Sequence, residues 1–145
     1  MKMHSKKEYL LFMEAWVLLA FSRALILFRP FRSLTPILGK SIDEKNSDSY
    51  LVEQSTDLKL LQLIQCSIWR AGRRSPWRTM CFEMALTARI MLLIRDRKSV
   101  IFFGVNKQKI EEKEMKAHAW LISSGFTVTG GLKNSDYSIV GRFEK

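Results

Sequence analysis

Acidic residues are in short supply in this chain, with 14 Asp and Glu against 24 Lys and Arg and a formal charge of +10. Cysteine and histidine are scarcer, at two each, and proline occurs only three times in 145 residues. Cys66 and Cys81 form no CxxC pair and belong to no four-cysteine framework, which excludes a disulfide-stapled secreted scaffold. With His4 and His118 they make too sparse a ligand set for a metal site, and nothing in the sequence calls for a cofactor. Two unframed thiols suit a reducing cytoplasm. Few prolines in a chain that is 47% hydrophobic argue against wholesale disorder, and the length suits one domain spanning 1–145.

The excess of positive charge is uneven. Residues 1–40 carry +5, 41–65 carry −3, 66–110 carry +8, and 111–145 balance. A basic surface attracts nucleic acid, anionic lipid or acidic peptides without choosing among them. There is no zinc-finger spacing, no RNP-like aromatic motif and no readable helix-turn-helix, so charge alone is no case for a nucleic-acid partner.

Long apolar runs are present once. "YLLFMEAWVLLAFSRALILF" (9–28) has about the length of a membrane span. Glu14 and Arg23 lie inside it, and a charge in mid-bilayer costs roughly 2.5–3.5 kcal/mol even on the lenient insertion scale. No A-x-A-like cleavage site follows. The segment reads as a long helix ended by Pro30, its broad apolar face packing into the domain or against a partner. Peripheral contact with the inner face of a membrane is the alternative, because the flanks are basic.

Residues 41–50, "SIDEKNSDSY", read as a polar linker. Helical spacing returns over 50–72, with Leu58, Leu61, Ile64, Cys66, Ile68 and Trp69 apolar and Gly72 as its stop. In that pattern Cys66 reads as a small core hydrophobe. A loop, "RRSPWRT", leads to a helix over about 80–95, for which Ser75 with Pro76, or Thr79, supplies the cap. Its residues Cys81, Met84, Ala85, Ala88 and Leu92 share one face. Strands then follow at 99–105, 117–123, 126–131 and 137–143, the middle two joined by a Ser-Gly turn. Helices first and strands last make an α+β fold, with helices over 1–72 and a nucleophile-bearing helix packed on a small antiparallel sheet over 73–145.

Cys81 stands in the first turn or two of its helix, where unpaired N–H groups and the positive dipole end favour a thiolate. Arg73, Arg74 and Arg78 precede it closely. Nucleophilic catalysis also needs a base, and His118, on the strand "AHAW", is the histidine away from the extreme N-terminus. A third group that orients the imidazole is harder to find. A two-residue turn sets His118 opposite Gly131, and a three-residue turn sets it opposite Gly130. The neighbouring Thr129, Asp136 reaching back, or a backbone carbonyl would each serve.

Taken together, "SPWRTMCFEMALTARIMLLIRDR", "FFGVNK" and "KAHAWLISSGFTVTGG" resemble the stand-alone leader peptidases of lasso-peptide biosynthesis, within the transglutaminase-like cysteine-protease superfamily. The likeness covers roughly 9–143. It implies a transglutaminase-like, papain-like core and cleavage of a ribosomally made precursor by a cysteine peptidase with Cys81 as nucleophile and His118 as base. Its implied partners are the precursor peptide, a separate leader-recognition protein and an ATP-dependent macrolactam cyclase. Trp77 and Trp120 are candidates for lining the substrate groove, with buried aromatic packing the favoured reading for each. The family commonly places an acid near the position of the Thr-Gly-Gly here, and this chain departs from that pattern, leaving Asp136, with Thr129 as the alternative, for the third role. A noncatalytic scaffold of the same fold, binding precursor and cyclase, is the competing reading.

Overall fold

The computed structural model describes residues 6–42, 58–76, 81–106, 117–130 and 137–145. Helix α1 spans Lys6–Phe28, a 3-10 turn covers Phe31–Leu34, and a single helical turn, α2, covers Thr35–Leu38. A two-residue strand β1, Lys40–Ser41, precedes helices α3, Leu58–Arg74, and α4, Cys81–Ile94. Strands β2 (Val100–Asn106), β3 (Ala117–Ser123), β4 (Phe126–Thr129) and β5 (Tyr137–Glu144) complete the fold. All pairings are antiparallel, in the order β1-β5-β2-β3-β4. The α+β layout expected from the sequence is the observed one.

Helix α4 is apolar around its whole circumference, as a helix surrounded by other elements must be. Leu86, Ala88, Met91 and Leu92 are fully buried, between α1 and α3 on one side and the sheet on the other. Strand alternation sends Ile101, Ala119 and Leu121 into this core, while Val100, Phe102, Trp120 and Ile122 form a smaller cluster on the opposite face of the sheet. Polar groups of α4 are buried too, and two of them bond across to other elements. Arg89 donates to the carbonyls of Phe143 (2.6 Å) and Lys145 (3.3 Å), tying the helix to β5. Thr87 donates to the carbonyl of Glu83 and so accepts from the Ser22 hydroxyl of α1 at 3.2 Å.

Several boundaries differ from the sequence reading. Gly72 does not stop α3, which continues through Arg74. The Ser75 hydroxyl donates back to the Ala71 carbonyl, 2.8 Å away, at the end of α3. Thr79 lies outside the described residues. Ser41, expected in a linker, is paired with Phe143 as part of β1. Cys66 is exposed, not a core hydrophobe.

Candidate active site

Cys81 is the first described residue of α4, Cys81–Ile94. Its neighbour Phe82 fixes that end of the helix over the sheet, edge-on to Phe103 of β2 with ring centroids 5.1 Å apart. Phe103 in turn meets Phe143 of β5 edge-on at 5.6 Å. On the other side, β3 approaches closely enough for the Ala119 backbone N–H to donate to Cys81 Sγ at 3.4 Å.

His118 precedes Ala119, and both it and Cys81 line one cavity of about 650 Å³. The imidazole is oriented by a backbone carbonyl, with Nε2 2.8 Å from Gly130 O. A carbonyl only accepts, so Nε2 carries the hydrogen and Nδ1 of the neutral ring carries the lone pair. Trp120, two residues along the same strand face, stacks against the imidazole at 5.6 Å and 25°.

The β3–β4 hairpin sets this arrangement. Ser124 (φ +51°) and Gly125 (φ +79°) both have positive φ, as a two-residue type I′ turn requires, and pair Ser123 with Phe126. The register then shifts between Leu121 and Ile122, so that Leu121 pairs with Thr129 and Val128 is the extra residue of a bulge. With that shift Gly130 lies against Ala119 and Trp120, and its carbonyl reaches the His118 ring. Gly130 has φ +68°, and a Cβ there would lie 2.6 Å from the Ala119 carbonyl oxygen and 3.1 Å from His118 Nε2.

Thr129 lines the cavity, but its buried hydroxyl has no hydrogen-bonding partner among the described residues and does not bond the ring. Asp136 and Trp77 lie outside the described residues. Trp120 is only 3% exposed and is absent from the cavity lining; it packs flat on Phe102 at 5.5 Å, backing the histidine from behind. The aromatic at the cavity is Trp69 of α3, beside Cys66, Ile68 and Arg70, with the Arg73 guanidinium 4.7 Å from the centre of its ring. Its helical phase gives the cue. The buried stripe of α3 is Leu61, Ile64, Ile68 and Ala71; Trp69 falls to one side of it and Cys66 nearly opposite. Gln65, on the same side as Trp69, donates to the Thr127 carbonyl at 3.1 Å and joins α3 to β4. No three His, Cys, Asp or Glu side chains converge as a metal site among the described residues.

A helix-borne cysteine and a strand-borne histidine thus line one cavity. No curated protein and no solved structure matches the chain. The family comparison does: the model described as the transglutaminase-like superfamily matches residues 15–141, covering both Cys81 and His118, and the chain belongs to that superfamily.

Proposed function

We propose that this protein is a cysteine peptidase that removes the leader from a ribosomally synthesised lasso-peptide precursor. The observation that carries the reading is that Cys81 and His118 line one cavity, the thiol borne on a helix and the imidazole held at Nε2 by the Gly130 carbonyl. Membership of a superfamily that includes cysteine proteases supports the peptidase class. The leader peptidase assignment rests on the resemblance of the PW–Cys, FFGV and AHAW segments.

In the proposed reaction His118 Nδ1 takes the proton of Cys81, and Sγ attacks the carbonyl at the leader–core junction. The backbone N–H of Cys81 faces the developing oxyanion, in the manner of helix-start donors. Collapse breaks the C–N bond, and the imidazolium returns its proton to the leaving amine of the core. Water, deprotonated by the same imidazole, then hydrolyses the thioester and frees the leader carboxylate and the thiol. A separate recognition protein delivers the precursor, and an ATP-dependent cyclase consumes the liberated amine.

The test is cleavage of the cognate precursor with the recognition partner present. Cys81→Ala and His118→Ala each lower the rate by about a thousandfold or more while the fold is retained; normal processing by the Cys81→Ala protein sinks the reading. Alkylation separates a peptidase from a scaffold. Exposure favours Cys66, so iodoacetamide reacting first at Cys81 marks an activated thiol, whereas preferential reaction at Cys66 favours the scaffold.

A further inference from the structure

The long apolar helix α1 carries two faces, and only one belongs to the core. Leu11, Ala15, Leu19 and Ser22 are buried against α3 and α4. On the opposite side Leu10, Met13, Val17, Phe21, Leu27 and Phe28 are exposed, Leu10 to 70% and Phe28 to 81%. At 3.6 residues per turn these six occupy a stripe about 120° wide and about 27 Å long. Scattered exposed hydrophobics are ordinary, but a continuous helical stripe of this length is an interaction surface.

The two charges within the run do not reach that stripe. Glu14 takes a two-pronged hydrogen bond from Arg95 at 2.7 and 2.9 Å, and Arg23 pairs with Glu83 at 2.9 Å. Both ion pairs pin α1 to the start and the end of α4, so the helix is docked to the domain and does not cross a bilayer alone. The same pairs leave its outer face uncharged from Tyr9 to Phe28. At its two ends stand exposed cations only: Lys6 and Lys7 before it, Arg29 and Arg32 after it.

We infer that this face of α1 is a peripheral membrane-binding surface for anionic bilayers. An interfacial helix buries an apolar face among the acyl chains and keeps cations at headgroup level. Here the folded domain takes the place of the usual polar face. The terminal cations select the occupant. A second copy docked antiparallel sets Lys6 and Lys7 against Arg29 and Arg32, a parallel copy sets like against like, and both unite chains of charge +10. An anionic surface meets both cationic ends at once.

Flotation of the full chain with vesicles tests this. It floats with phosphatidylcholine–phosphatidylserine vesicles, and phosphatidylcholine alone or added salt releases it. Val17→Glu with Phe21→Glu lowers partitioning by about tenfold or more and leaves the thermal melt unchanged. The milder pair Leu10→Ser and Phe28→Ser gives a smaller loss in the same direction and serves if the first pair disturbs the fold. Gln at Lys6, Lys7, Arg29 and Arg32 removes the preference for phosphatidylserine. Cys81→Ala floats like the parent chain, so the outcome is independent of peptidase activity. Absence from the serine-lipid vesicles, equal binding to neutral ones, unchanged binding by both stripe variants, or a stripe-dependent dimer without flotation overturns the proposal.

Discussion

At Gly130 the backbone takes φ +68°, and its carbonyl lies 2.8 Å from His118 Nε2. Any side chain there meets the Ala119 carbonyl at 2.6 Å and Trp120 Cβ at 2.9 Å, contacts that only a shift of β4 against β3 relieves. Gly130→Ala therefore costs about 1–3 kcal/mol of stability through the left-handed backbone and the crowding. On the proposed peptidase reading, the same shift carries the carbonyl off the imidazole and lowers precursor cleavage per folded molecule about tenfold or more. Denaturant unfolding and kcat, measured on one preparation, separate the two effects. A stability loss with an unchanged kcat means that the carbonyl does not orient the base. At this scale the sequence was legible for residue types and silent on contacts. Cys81 and His118 were singled out by residue chemistry joined to the resemblance, whereas the Gly130 carbonyl at the ring was one of several partners that the sequence left open.

Elements were legible where one periodicity dominates. The strand runs at 99–105 and 117–123 and the Ser-Gly turn stand close to where the sequence placed them, because β-branched and aromatic residues alternate between polar breaks. The helices were read less well. Cys66 and Trp69 were assigned to the core stripe of α3 from their apolarity, although their phase sets Trp69 beside it and Cys66 nearly opposite, and α1 is apolar on both faces so that no amphipathic pattern tells which face is inside. Its ion pairs tell. Glu83 is 3% exposed at its side chain and its partner Arg23 32%, so Arg23→Met strands a buried carboxylate. Breaking a buried pair costs about 3–5 kcal/mol, and the partial exposure of Arg23 brings the expected loss to about 2 kcal/mol. Adding Glu83→Met restores most of that loss, because removal of both charges leaves nothing uncompensated; urea midpoints of the single and double variants check it. The second pair behaves differently with pH. The hydrogen bonds that Arg95 donates to Glu14 raise its guanidinium above its ordinary value, against the opposing effect of burial. A raised cation stabilises the fold below its unfolded pKa, so the contribution of Arg95 is constant throughout the workable pH range.

For the whole molecule the question is whether α1 is part of the domain or an appendage to it, since an apolar segment near the N-terminus passes the same length test as a membrane span or a signal sequence. The packing makes it part of the domain. Leu11 and Leu19 lie in one core cluster with Ile64, Leu86 and Met91, and a fully buried leucine contributes about 1.5–3 kcal/mol. Without α1 those two side chains are lost, the inner faces of α3 and α4 meet water, and Glu83 loses Arg23. The sum is about 5 kcal/mol or more, which matches the whole stability of an ordinary domain. A chain of residues 29–145 is therefore expected to lack a cooperative thermal transition by near-ultraviolet circular dichroism and to leave Cys81 no more reactive than Cys66. A cooperative melt close to that of the full chain would make α1 an appended segment. Retention of the fold in the charge-stripe variants, set beside its loss on deletion of the helix, would assign the inner face of α1 to folding and the outer face to docking.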